Sequence, residues 1–207
     1  MEKNTYPVEE WKVTEEKFVK DWNYRNETTF ALSNGYIGTR GTFDEGYPFT
    51  VDEGLEGNFI NGFYESEHIR YGEWNFGFPE TSQSLLNLPN LKKSTIEVNG
   101  EMFDLKAGEI VEYSRSLLMN EGIVVRNVVW KSPKGKEVKA TFKGLVSLAD
   151  KNIMAIQIKV TPINFEGTVK FSSYVEAGVE NHTRKTNPLV DYGPFGKHLV
   201  VEELKSD

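Results

Sequence analysis

Val138-Lys-Ala-Thr-Phe-Lys-Gly-Leu-Val-Ser-Leu148 sets Val138, Ala140, Phe142, Val146 and Leu148 at period two, against Lys139, Thr141, Lys143 and Ser147. Side chains alternate between faces along a strand, so this pattern predicts a β-strand with one face buried and the other in water. The sequence on both sides continues the theme. Downstream, Met154, Ile156, Ile158 and Val160 oppose Gln157, Lys159 and Thr161, and Val169, Phe171 and Val175 keep the same period. Upstream, Gly122 to Lys131 sets Ile123, Val125 and Val129 against Val124, Val128 and Trp130, which predicts burial on both faces.

Turn chemistry separates these runs. Ser132-Pro-Lys-Gly135 supplies one turn, and Asn99-Gly100 joins Thr95-Ile-Glu-Val98 to Glu101-Met-Phe-Asp-Leu105 as a two-residue hairpin. Asn34-Gly35 is a second tight-hairpin signal, with positive φ expected at both central positions. The economical architecture is an all-β fold, a large antiparallel β-sandwich of two packed layers with little helix. One domain over residues 1–207 suffices at this length. The first ninety or so residues are less regular and are expected to wrap the sandwich with short strands and long loops. Thr14 to Trp22 fits either a helical turn or a strand, and Trp11, Val13, Glu15 and Lys17 favour the strand. The tail, Val200 to Asp207, stops soon after a strand-like segment, so the sandwich is expected to be cut short at its C-terminal end.

Composition excludes several classes of function. No apolar run approaches the roughly 20 residues that span a bilayer, and no hydrophobic signal region follows Met1, so a cytoplasmic location is expected. Zero cysteines remove disulfides, thiolate metal sites and cysteine nucleophiles. His68, His182 and His198 are too dispersed for a zinc-ligand spacing. A net charge of −7 disfavours nucleic-acid phosphate as a partner and is compatible with neutral sugars.

Gly35, Gly38 and Gly41 recur every third residue, but G-x-x-G-x-x-G is not the dinucleotide fingerprint and no amphipathic helix follows. A glycine-kinked strand that allows a bulge or a close approach explains them. Arg40, flanked by small residues, can meet a carboxylate, a phosphate or a second domain. Asn58 to Trp74 reads as a loop region mixing aromatics, amides and carboxylates, a mixture that sugar sites use and that a satellite cluster under a loop also shows. Asp44-Glu45, Glu65 with Glu67, and Glu73 are formal acid–base pairs, and a solvated acidic face is the simpler account. Arg115 and Arg126, inside strand-like segments, read as structural ion pairs, and His68 reads as a surface histidine.

Beyond residue-level chemistry, Phe30-Ala-Leu-Ser-Asn-Gly-Tyr-Ile-Gly-Thr-Arg-Gly-Thr-Phe-Asp-Glu-Gly46 resembles the opening block of glycoside hydrolase family 65. Further blocks follow in order: Phe59-Ile-Asn-Gly-Phe-Tyr-Glu65, Tyr71-Gly-Glu73, Leu85-Leu-Asn-Leu-Pro89, the Arg115 to Gly122 segment, and Arg126 to Gly135. The resemblance covers about residues 9 to 180. It implies an N-terminal domain like a galactose-mutarotase-type supersandwich, ahead of an (α/α)₆ barrel that holds the glutamate general acid and the phosphate site. No catalytic residue is then expected in this chain.

The implied reaction of the longer enzyme is inverting phosphorolysis of an α-linked glucose disaccharide, with inorganic phosphate as co-substrate and no metal or organic cofactor. The implied role of this domain is scaffold, homodimer contact or rim of the substrate site, with Asn34, Tyr36, Arg40, Tyr64 and Glu65 as rim or interdomain candidates and the chain's own barrel as partner. Two other readings stay open: a stand-alone carbohydrate-binding β-sandwich, and the N-terminal domain of a family 65 hydrolase. A mutarotase-like epimerase lacks the histidine and carboxylate constellation it needs.

Overall fold

The structure, a computed structural model, describes residues 6–46, 53–182, 190–191, 196–197, 199–200 and 202. His198 and most of the 200–207 tail lie outside them. The strands run β1 (Lys12–Glu15), β2 (Leu32–Ser33), β3 (Ile37–Thr39), β4 (Asn58–Ile60), β5 (Tyr64–His68), β6 (Arg70–Tyr71), β7 (Thr81–Leu85) and β8 (Ser94–Val98). They continue with β9 (Glu101–Met102), β10 (Glu109–Leu118), β11 (Ile123–Lys131), β12 (Glu137–Val146), β13 (Met154–Pro162), β14 (Val169–Ser173) and β15 (Val190–Asp191). Helix is confined, among the described residues, to a 3₁₀ turn at Lys20–Trp22 and α1 at Asn23–Thr29.

Five antiparallel strands in the order β1-β10-β11-β12-β13 form one layer, and β14-β8-β9 form the facing one. The register puts Arg115, Arg126, Phe142 and Ile158 in one row across the large sheet, with Tyr113, Val128, Ala140 and Val160 in the next. These rows face inward. Val128, Trp130, Val138 and Ala140 are fully buried against Ile96 and Val98 of the small sheet and Phe103 just after β9. Trp130 packs its ring 5.1 Å from that of Phe103 and donates its indole N–H to the Asp104 carbonyl at 2.9 Å, so the largest core side chain leaves no polar atom unpaired.

The opposite face of the large sheet is polar and half-covered. Thr14 pairs with Ser116 at 3.1 Å and Thr141 donates to Asn127 at 2.9 Å. Val125 and Val129 are only half-buried there, so β11 is buried on one face and not on two. Val125 sits between Ser116 and Lys143 and Val129 between Glu112 and Lys139, whose side chains shield them from water in part.

The Asn99-Gly100 hairpin is present as expected, with φ of 47° and 81° at the two central residues. At Asn34-Gly35 the hairpin is also present but shifted by one residue: only Gly35 has positive φ, and Gly35-Tyr36 are central. The cause is the Asn34 carboxamide, which accepts from the Tyr36 and Ile37 amides at 3.0 and 2.8 Å and holds its own backbone in an Asx turn. The 58–74 stretch, read as a loop, carries β4, β5 and β6. β5 pairs with β7 as a two-stranded arm whose residues are mostly exposed.

Helix α1 is seven residues long and is held by tertiary hydrogen bonds, since an isolated helix this short is not stable in water. Asn26 accepts from Tyr6 at 2.6 Å and donates to Glu15 at 2.6 Å. Asn23 donates to Glu27 at 2.8 Å.

Candidate functional site

Two polar assemblies stand out: a buried one behind the inner face of the large sheet, and an exposed one at the tips of the N-terminal hairpins. In the first, Glu15 meets Arg115 Nε at 2.9 Å and Tyr113 Oη at 3.1 Å. Arg126 grips Glu45 through both terminal nitrogens. The two guanidiniums also lie over rings, Arg115 4.4 Å from the Phe30 centroid and Arg126 4.0 Å from that of Phe142. Both arginines are therefore structural ion pairs, as their strand positions predicted. Breaking one such pair on one side leaves a buried charge uncompensated, at a cost of about 3–5 kcal/mol.

Glu45 is buried in this assembly and Asp44 lines a small cavity beside it, so the solvated acidic face expected for that pair is corrected. The reversal follows from Arg126, whose row on β11 points inward and draws a carboxylate after it. Burial raises the Asp44 pKa despite the nearby Lys92 and Arg126, and burial lowers that of Lys92, whose ammonium donates to the Arg40 carbonyl and the Thr42 hydroxyl. Glu65 and Glu73 are exposed and Glu67 half-buried. His68 is exposed. Among the described residues no group of three His, Asp or Glu side chains forms a metal site.

The second assembly gathers most of the rim candidates. Asn34 donates to the Ser147 and Lys151 carbonyls at 2.6 and 3.1 Å, fastening the β2–β3 hairpin to the turn after β12. The Lys151 ammonium lies 4.6 Å from the Tyr36 ring centroid. Asn61 links the two tips: its amide donates to Tyr36 O at 2.8 Å, its carboxamide donates to Gly35 O at 3.2 Å, and it accepts from Tyr64 Oη at 3.3 Å. Glu65 follows Tyr64 on β5, opposite Ser84 and exposed. Asn34, Tyr36, Tyr64 and Glu65 thus share one end of the molecule, with Asn61 as the connecting residue that sequence did not single out.

Arg40 sits apart from them. Its guanidinium donates to Leu55 O at 2.7 Å, Thr28 Oγ1 at 3.0 Å and Tyr24 O at 3.1 Å, and pairs with Glu27 at 3.4 Å. It bolts α1 to the 53–57 segment. Beyond the tips, the arm exposes Phe63, Tyr64, Trp74 and Phe78, and Phe76 is 97% exposed on the turn that Phe78 N closes onto Asn75 O. A separate groove of about 560 Å³ opens beside β13, walled by Phe59, Ile60, Leu88, Leu91, Met154 and Ile156.

The family described as "Glycosyl hydrolase family 65, N-terminal domain" matches residues 13–203, somewhat beyond the span of the sequence resemblance. The chain is 43% identical to an alpha,alpha-trehalose phosphorylase of Thermoanaerobacter brockii, over 98% of this chain and 27% of that protein. It is 31% identical to a kojibiose phosphorylase of Halothermothrix orenii, over 95% of this chain and 22% of that protein. The solved structure named "Putative kojibiose phosphorylase from human microbiome" superposes with a TM-score of 0.74 at 23% identity, covering 83% of this chain and 22% of that one, which is a likeness of fold. The chain spans about a quarter of the length of these relatives. Sequence blocks, the antiparallel sandwich and the family match converge: this chain belongs to glycosyl hydrolase family 65, to the N-terminal domain of that family.

Proposed function

We propose that the chain is the N-terminal domain of a longer inverting α-glucoside phosphorylase and is catalytically inert alone. The observation that carries this reading is 43% identity across nearly the whole chain to a trehalose phosphorylase almost four times as long. In an inverting phosphorolysis an acid protonates the glycosidic oxygen while phosphate attacks the anomeric carbon from the opposite face, in place of the activated water of an inverting hydrolase. Among the described residues the buried carboxylates of Glu15, Glu27 and Glu45 are tied to arginines and amides, which suits a scaffold whose acid and phosphate site lie in a separate barrel.

We place the tip cluster of Asn34, Tyr36, Tyr64 and Glu65 at the rim of the substrate site, where Tyr64 offers a ring face to sugar C–H groups and Glu65, on the other face of β5, a carboxylate to sugar hydroxyls. Arg40 stands behind it as the bolt of α1. A homodimer contact and a cytoplasmic setting complete the reading, the latter supported by the lack of cysteine.

The test compares the 207-residue chain with the full-length polypeptide, each given phosphate and trehalose, kojibiose or maltose. Glucose 1-phosphate is expected only from the full-length protein. Release by the short chain would overturn its assignment as inert. In the full-length enzyme, Tyr64→Ala and Glu65→Ala are expected to raise the disaccharide KM roughly three- to tenfold, an effect of positioning. Unchanged constants would remove both residues from the rim.

A further inference from the structure

Asparagine followed by glycine occurs three times in the chain, at Asn34-Gly35, Asn61-Gly62 and Asn99-Gly100. Each pair sits in a tight turn with its glycine at positive φ. Glycine has no Cβ to shield its own amide nitrogen, so the asparagine side-chain carbonyl ahead of it is open to attack by that nitrogen. The structure separates the three pairs by how firmly each carboxamide is held. That of Asn34 makes four hydrogen bonds, to the Ser147 and Lys151 carbonyls and from the Tyr36 and Ile37 amides. That of Asn99 accepts from the Thr168 amide at 2.8 Å and lies in the space a Cβ on Gly167 would fill. Both residues are half-buried. Asn61 is exposed, and its carboxamide has two long contacts, to Gly35 O at 3.2 Å and from Tyr64 Oη at 3.3 Å. One bond of 3.2 Å, from Phe63 N to Ile60 O, closes the turn around it, and the Gly62 amide has no acceptor among the described residues.

We propose that Asn61 is a site of spontaneous deamidation, and that the fold directs this modification there while shielding Asn34 and Asn99. The Gly62 nitrogen gives its proton to solvent base and attacks the Asn61 side-chain carbonyl carbon. A carbon–nitrogen bond forms, the bond from that carbon to Nδ2 breaks, and Nδ2 leaves as ammonia, which closes a cyclic imide. Water then opens the imide at either carbonyl, giving aspartate or isoaspartate. The balance is one water taken up and one ammonia released, with no oxidant or reductant. The modification falls on a working contact, since Asn61 joins the β2–β3 tip to the turn before β5. Either product has no side-chain N–H to give to the Gly35 carbonyl and sets a negative charge beside it, so an attraction becomes a repulsion. Isoaspartate also routes the main chain through the side-chain methylene, which re-spaces the turn into Tyr64. The inference stands whatever the tips bind.

Incubation of the protein in mildly alkaline buffer, folded and in urea, tests the proposal, with isoaspartate at each of the three sites read by peptide mapping. In the folded protein Asn61 is expected to react at least about tenfold faster than Asn34 or Asn99, whose reaction waits on local opening. In urea, where no turn holds a carboxamide, the three rates are expected to lie within about threefold of one another. Asn61→Gln keeps the carboxamide but needs a larger, slower-forming ring, so it is expected to abolish the isoaspartate formed by the folded protein. Asn61→Asp, which reproduces one product, is expected to exchange its Tyr36 and Ile37 amides at least about threefold faster than wild type. A folded protein in which Asn61 reacts no faster than the other two overturns the proposal. The same preference for Asn61 in urea overturns it as well, since local sequence then explains the selectivity. Undiminished isoaspartate in Asn61→Gln places the reactive asparagine elsewhere, and unchanged exchange in Asn61→Asp defeats the loss of the link between the tips.

Discussion

Gly41 has no room for a methyl group. A Cβ built there would stand 2.7 Å from the Phe30 carbonyl oxygen and 2.9 Å from its Cβ, and the first of these is backbone that cannot swing away. Gly38, three residues earlier, would place its Cβ 3.8 Å from that of Ser33, an ordinary contact. Gly35 answers to a different demand, a φ of +84° at the hairpin turn. The evenly spaced glycines are thus three separate solutions, and the period itself carries no meaning. Gly41→Ala is expected to destabilise the fold by about 1–3 kcal/mol through overpacking, and Gly38→Ala to change stability by less than about 0.5 kcal/mol. Urea unfolding of the two variants checks this. Similar midpoints would refute the close approach at Phe30.

The β2–β3 hairpin behaves as an element fastened from outside. Two carbonyls of the turn after β12, over 110 residues away in sequence, accept from the Asn34 carboxamide, and two amides of its own hairpin donate to it. Asn34→Ala removes all four bonds and is expected to cost about 1–3 kcal/mol and to raise amide exchange in the 147–153 turn. Asn34→Asp keeps the two acceptor bonds but faces the Ser147 and Lys151 carbonyls with a carboxylate, so it rescues the hairpin and not the turn. Equal exchange in wild type and Asn34→Ala would show that the clasp is idle. Strands β8, β12, β13 and β14 were legible in sequence because their apolar residues alternate, and Asn99-Gly100 and Ser132-Pro-Lys-Gly135 marked two of the turns between strands. Helix α1 was not, because the residues it buries are Asn23, Asn26 and Glu27, its N-cap is Trp22 without a capping side chain, and its partners are distant. The same holds at the tips: Asn34 was legible as a turn residue, while its carbonyl partners and the bridging Asn61 depended on contacts that periodicity does not encode. Glu45 was misread for the matching reason, since the arginine that buries it lies 81 residues on.

For the molecule as a whole, one half-buried acid group, Glu56, contributes a response to pH. Glu56 accepts from Asn90, and its pKa is raised from 4.5, first by burial and then by the charge of Glu176, against the pull of Lys92 and Lys93. A carboxyl whose folded pKa exceeds its unfolded one favours the fold most at low pH. That contribution is lost as pH rises through the folded value, in the window above 4.5. Glu56→Gln keeps the acceptor for Asn90 and removes the charge, so the variant is expected to gain on wild type as pH goes from 4.5 to 7.5. Parallel urea midpoints across that range would contradict it. A different consequence follows from the pair that fixes β1 to β10. Glu15 and Arg115 are 100 residues apart in sequence. A ribosome adds about 5–20 residues per second, so Glu15 waits roughly 5 to 20 s for the arginine that neutralises it to be made. Throughout that interval the nascent N-terminus carries an acidic segment whose place in the sandwich does not yet exist, and β1 can join its sheet only after the middle of the domain has emerged.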